Sequence, residues 1–496
     1  MSTTPLEFTS FRPGVGPVQI TVDDDAAAER LSDPGRAKER SAGPAAAGPK
    51  RTSGLGTAMA SVWRERGVLD LKLVTEMIPA LDRRPPLARD PFEPRFGKWA
   101  AVALREDAAA AKEALAPLLE LRRSEGLAFD PKGDTPGFVV IDRPAADKPF
   151  LWEEALRDVT GAPPHHLLLL GGPERFPFAV VSWWSARRIV GVLDVADDPL
   201  GPLSWPAVHR YARKVCDQAA GQHAISRRAL VYAFRSDGAT RRSYEKLATP
   251  LLQYLTDQAL KLPAATQAPL RLLGDAATTH GLIDTLRTER PALVLTCTHG
   301  LEYPPDPKLW GALTSVDHSK PSGSPLSVDS ITVGEPFAEG GVVFAFACFS
   351  AGIPDKSALI ELVSPNQADP IQVPRIAPLP RLILGQDRGP LAFIGHVDRA
   401  STSSFAGFDG PTAFQDLADF VLGGLGTVGQ GMSTFWEEAL RAADDLVTVL
   451  KPDAMSTPQQ KVAAWVRRLD TAGWLLLGDP CVRLFPPPAT AGSSPD

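Results

Sequence analysis

The sequence predicts an α/β protein built on a mostly parallel β-sheet covered by helices on both faces and preceded by a smaller α/β unit. Three observations predict it. From Arg228 onward, short continuous apolar runs alternate with helical stretches, the pattern of strands buried on both faces. The runs are bounded by Gly and Pro and are only four to nine residues long, too short for buried helices. Two of them end directly in residues that carry chemistry, His299-Gly300 and Cys348.

In chain order, the stretch 108–126 reads as a helix, and GFVVID (137–142), HHLLLLGG (165–172), FAVVSWW (178–184) and RIVGVLD (188–194) read as strands. The regular part then begins. ALVYAF (229–234) precedes a helix over 243–260, RLLG (271–274) precedes a helix over 276–289, and ALVLTCT (292–298), GGVVFAFAC (340–348) and LAFIGHVD (391–398) follow as strands. A helical region over 411–469 and a last apolar run, WLLLGDP (474–480), complete it.

A chain of 496 residues exceeds one hydrophobic core, so several units of roughly 100–200 residues are expected. Residues 1–57 are expected as a flexible tail, because Asp23–Gly56 is rich in Ala, Gly, Pro and charge and has almost no large apolar residue to offset its ordering entropy. An N-terminal α/β subdomain is expected over 58–225, the main domain over 226–486, and a second tail over 487–496.

Net charge is −6 and no Lys/Arg run alternates with aromatics, so nucleic acid is not an expected partner. No apolar run approaches the ~18 residues of a spanning helix, and the N-terminus lacks the basic and apolar regions of a signal peptide. A cytoplasmic location is expected. The four cysteines, Cys216, Cys297, Cys348 and Cys481, form no C-x-x-C pair, so neither a disulfide framework nor a metal site is expected, and no cofactor.

In an open parallel sheet, ligands bind outside the carboxyl ends of the strands. If their strands are parallel neighbours, His299 and Cys348 face one crevice. An imidazole within reach converts a thiol to the nucleophilic thiolate, and the reaction then needs N–H donors at the developing oxyanion. Gly300 suits that role because no Cβ blocks the approach of a substrate carbonyl to its amide. The small neighbours Ala347, Ala351 and Gly352 leave room for a peptide.

THG (298–300) and ACFSAG (347–352) resemble the histidine and cysteine motifs of caspase-like peptidases, which also place the histidine about 50 residues before the cysteine. Further segments resemble the gingipain-type branch of that clan: HHLLLLGGPERFPF (165–178), DAATTHGLIDTLRTERPALVLTCTHG (275–300), LAFIGHVDRA (391–400) and WLLLGDPCVRL (474–484). The resemblance spans about 130 to 485. It implies a caspase-like three-layer sandwich and a bacterial-type cysteine endopeptidase acting on protein or peptide substrates. His299 and Cys348 would be its dyad, with the backbone N–H groups of Gly300 and Cys348 as oxyanion hole. Gingipains carry signal sequences and appended β-domains that have no counterpart here, so their compartment and specificity do not transfer. Glu302, Asp306, Asp317 and Asp398 are acidic candidates for the substrate cleft, joined by His318 and Ser350.

Other readings stay open. CFSAG has the spacing of a serine-hydrolase elbow, with Ser350 as nucleophile and Asp387 and His396 following in the required order; His396 is also an alternative base for Cys348. A caspase-like fold can serve as a non-catalytic interaction module. A regulated effector enzyme with a protein partner is a third reading, with the Ser/Pro-rich stretch 313–330 as lid or processing site. GLGTVG (424–429) matches a dinucleotide fingerprint, but it follows a helical stretch and not a strand, so a loop between helices is expected.

Overall fold

The computed structural model describes residues 3–12 and 16–23 as backbone, and 93–130, 135–145, 148–259, 266–316, 324–359, 373–402, 405, 411–451 and 454–485. The first two segments are strands β1 (Thr3–Arg12) and β2 (Gly16–Asp23), paired as an antiparallel hairpin inside the stretch expected as a tail. Residues 24–57, the start of the expected subdomain and the tail over 487–496 lie outside the described residues.

The main body is one ten-stranded sheet. Its first half comprises β3 (Trp99–Leu104), β4 (Phe138–Ile141), β5 (His166–Leu170) and β6 (Ile189–Leu193). The second comprises β7 (Ser226–Ala233), β8 (Leu270–Leu273), β9 (Pro291–Cys297), β11 (Val342–Phe346) and β14 (Ala392–His396). The two halves are joined by β15 (Trp474–Gly478), giving the order β4-β3-β5-β6-β15-β14-β11-β9-β7-β8. β15 runs parallel to β6 and antiparallel to β14, and every other neighbouring pair is parallel. Short pairs complete the strands: β10 (Gly300–Leu301) beside β1, and β12 (Gly352–Ile353) beside β13 (Arg375–Ile376). The described parts of the expected subdomain and main domain thus share one continuous sheet, joined through β15, the last strand among the described residues.

The α/β layering follows from the burial of both sheet faces. β5, β6, β9, β11, β14 and β15 are buried at every position, as near-continuous apolar strands require. On one face Phe344 of β11 meets Phe414 and Trp474 with ring centroids 5.1 Å away and Phe435 at 5.7 Å, which docks the helices Thr412–Gly423 and Ser433–Leu450. On the other, Tyr211 from the helix Trp205–Ala219 donates its hydroxyl to the Leu391 carbonyl at 2.7 Å.

One local expectation changes, and one strand lies where the sequence pattern marks none. FAVVSWW forms the helix Phe178–Ser185 after Pro177. The run is apolar at every position but Ser182, so its sequence shows no helical period to distinguish it from a buried strand. WAAVAL is β3, a central strand whose three alanines favour helix in isolation. Burial between β4 and β5 overrides that propensity. GLGTVG is the expected turn: Gly424 takes φ 69° at the end of the helix Thr412–Gly423.

Candidate active site

Parallel pairing of β9 with β11, with Cys297 opposite Phe346, carries both chains off the same end of the sheet. The Thr298 N–H still donates to the Phe346 carbonyl at 3.1 Å, so His299 and Cys348 leave adjacent strands at one level. The contact between their segments is close: a Cβ on Gly300 would lie 1.7 Å from the Cys348 carbonyl oxygen. Only glycine fits there.

His299 is 1% exposed and held on two sides. Its N–H donates to Thr314 Oγ1 at 3.1 Å, and its carbonyl accepts from the Thr314 N–H at 2.9 Å. Its Nε2 is hydrogen-bonded to Asp237. Asp237 lies just past β7, the strand next to β9, and caps the helix Gly238–Ser243 by accepting from the Thr240 N–H at 3.0 Å. Burial pushes the Asp237 carboxyl up, but the hydrogen bond and charge of His299, with the Thr240 amide and Ser236 hydroxyl, outweigh it and hold the group well below the usual carboxylate range. The sequence signal for Asp237 is its helix-capping pattern, Asp-x-x-Thr, which a structural role fully accounts for. Its proximity to His299 comes only from strand order.

Cys348 is completely buried. Its Sγ accepts the Ala400 N–H at 3.1 Å and stands 3.7 Å from the Ala400 carbonyl. Phe349 turns the chain sharply with φ 55°, an uncommon conformation for a non-glycine residue and one that recurs at functional sites. Its N–H is fixed by the Asp398 carbonyl at 2.9 Å. Two other thiols differ in setting: burial alone raises the Cys297 pKa to about 12, and burial together with the nearby Asp479 charge raises that of Cys481 well above the ordinary range, which suits inert core cysteines.

The remaining candidates fall into distinct places. Glu302 is fully buried and paired with Arg399 at 2.5 Å, so its carboxylate is already neutralised. Asp398 accepts backbone amides from Arg399 at 2.8 Å and Ala358 at 3.2 Å. Asp306 caps a short turn through the Lys308 N–H at 2.9 Å. Asp317 and His318 lie outside the described residues, within the 313–330 stretch whose stem is closed by reciprocal Leu313–Leu326 backbone bonds at 3.0 and 2.8 Å.

Ser350 donates toward the Ala347 and Ala345 carbonyls at 2.8 and 3.1 Å and accepts the His396 N–H at 3.0 Å. It ties the Cys348 turn to β14. His396 has both ring nitrogens engaged, Nδ1 with the backbone of Asp398 and Nε2 with the Asp470 carbonyl at 2.9 Å. Asp387 is exposed before the start of β14 while His396 ends it, so a Ser350-Asp387-His396 constellation is not assembled.

Among the described residues, no group of His, Cys, Asp and Glu side chains could hold a metal ion, and no helix is long and apolar enough to cross a membrane.

No protein-family model and no curated protein matches this chain. Among solved structures, one described as "Structure of Protease" is similar over 82% of this chain and 82% of its own, with a TM-score of 0.48 at 13% sequence identity.

Proposed function

We propose that the protein is a cysteine-type endopeptidase of the caspase-like clan, in which Cys348 is the nucleophile, His299 its base and Asp237 the group that orients His299. The observation that carries this reading is the convergence of three strand ends: β7 delivers Asp237, β9 delivers His299-Gly300, and β11 delivers Cys348, with Gly300 packed on the Cys348 backbone.

With Nε2 of His299 given to Asp237, proton exchange falls to Nδ1. His299 takes the Cys348 proton, and the thiolate attacks the scissile carbonyl to form a carbon–sulfur bond. The N–H groups of Gly300 and Cys348 hold the oxyanion. The intermediate collapses with cleavage of the C–N bond, and His299 protonates the departing amine. Water, deprotonated by His299, then releases the acyl group as a carboxylate and restores the thiol. Asp237 keeps the imidazole in one tautomer and stabilises its protonated form.

Profiling the purified chain against a diverse peptide library tests the reading. Cleavage that disappears in Cys348→Ala and in His299→Ala but persists in Ser350→Ala supports it; cleavage retained by Cys348→Ala overturns it. The complete burial of Cys348 favours the second reading, a non-catalytic module, and absence of any cleavage both by the full chain and by a form lacking residues 1–23 selects that one.

A further inference from the structure

We propose that the chain's own N-terminal hairpin occupies the strand edge beside the catalytic glycine, so that β1 and an extended peptide substrate exclude one another. The functional meaning rests on the peptidase reading above; the geometry does not.

β10 follows His299 directly and has a neighbour on each side. On one side runs the segment 311–314. The His299 N–H donates to Thr314 Oγ1 and the His299 carbonyl accepts the Thr314 N–H, the Leu301 N–H donates to the Ala312 carbonyl at 2.9 Å, and the Leu301 carbonyl accepts from Gly311 at 3.0 Å. Peptide groups of successive residues in an extended strand point to opposite sides. Since those of His299 and Leu301 face 311–314, those of Gly300 face the other way. That side is filled by β1, paired in parallel with Ser10 opposite Gly300 and Phe11 opposite Leu301.

The consequence for chemistry is direct. The Gly300 amide, which the mechanism needs at the oxyanion, is turned toward the hairpin ladder, while the Gly300 Cα lies against the Cys348 backbone. β1 also packs on the helix Gly238–Ser243, whose capping residue Asp237 holds His299. The hairpin therefore touches the elements that carry two of the three catalytic groups. Cys348 and His299 are 0% and 1% exposed, so no substrate carbonyl reaches the thiol in this arrangement. Adding a strand to an open edge is a general way for proteins to hold extended peptides, and here the edge is taken by residues of the same chain. Only two residue pairs join β1 to β10, a ladder short enough to exchange for a competing strand.

Two variants test this: deletion of residues 1–23, and Phe11→Pro in the full chain, which removes a backbone donor from the paired stretch of β1. Three quantities are measured without substrate or with it: the rate of Cys348 alkylation by iodoacetamide, followed by mass spectrometry; hydrogen exchange over 299–302; and hydrolysis of the peptide library. The expected result is alkylation and exchange faster by roughly tenfold or more, reversed when a synthetic peptide of residues 1–23 is added. Folded variants with unchanged alkylation and exchange overturn the inference; should the deletion fail to fold, Phe11→Pro decides on the same readouts. Fast alkylation without any hydrolysis keeps the hairpin inference and removes the peptidase reading. Equal hydrolysis and equal alkylation with and without the hairpin do the reverse.

Discussion

Arg399 sets its guanidinium 2.5 Å from the Glu302 carboxylate with neither side chain reaching solvent, and the next residue, Ala400, donates its amide to the Cys348 sulfur. The ion pair joins the loop after His299 to the loop after β14, and the guanidinium also lies over the Phe349 ring at 5.4 Å.

Removing one partner leaves a buried charge without its counterion, which costs about 3–5 kcal/mol, whereas replacing both with apolar groups of similar volume is close to neutral. Glu302→Gln should therefore lower the urea midpoint strongly, and the double variant Glu302→Leu/Arg399→Met should recover most of the loss. Because Glu302 is already neutralised, the double variant should also keep the substrate preference of the parent in the peptide screen.

Asp237→Asn separates orientation from capping. Asparagine caps helices as well as aspartate does, so the cap survives, and the thermal midpoint should fall only by the lost attraction between Asp237 and His299. Loss of the charge and of the imposed tautomer should reduce kcat by about 10²–10⁴-fold with KM much less affected. Equal kcat in the variant would show that Asp237 serves the helix alone.

Asp479 makes the same argument at the junction of the two half-sheets. It is fully buried, accepts from Trp99 Nε1 at 2.9 Å and from Arg122 at 2.5 and 3.1 Å, and its own amide donates to the Tyr211 hydroxyl at 2.6 Å. Asp479→Ala should destabilise by about 3–5 kcal/mol, because the buried Arg122 is left with only the partly exposed Glu125 as counterion. Denaturant unfolding measures it, and a loss below about 1 kcal/mol would refute the role.

Lys214 gives a pH signature. Its ammonium is buried, donating to the Leu384 and Gln386 carbonyls at 2.9 and 2.7 Å, and desolvation pulls its pKa down to about 7 despite the opposing attraction of Asp387. The unfolded chain holds that proton up to about pH 10.4. Between the two values the unfolded state binds more protons, so this group makes stability rise with pH across that window and stay flat below about pH 7. Thermal melts at pH 7 and pH 10 should show the stability difference between Lys214→Met and the parent shifting toward the parent as pH rises. A difference that does not change with pH would mean Lys214 stays charged when folded.

The legible part of the candidate site is its two motif residues. His299 and Cys348 each end a continuous apolar run, and such runs announce themselves because strands buried on both faces must be apolar at every position. Asp237 escaped because a helix cap explains it fully. The 178–184 run escaped because it is apolar at every position but Ser182, which hides the helical period, and β3 because its alanines carry the wrong local propensity. The hairpin at 3–23 lies directly before the stretch whose composition predicts a tail, and no local contrast marks the boundary.

What the sequence by itself determined was the α/β layering, the alternation of strand and helix, and which strand ends carry a thiol and an imidazole; these depend on local hydrophobic pattern. Only the tertiary structure decided that β7, β9 and β11 are neighbours, that β15 joins two half-sheets into one, that Glu302 is spent on Arg399, and that β1 lies along Gly300. Those are contacts between residues tens to hundreds of positions apart, set by sheet order and register, and no local pattern in the chain encodes them.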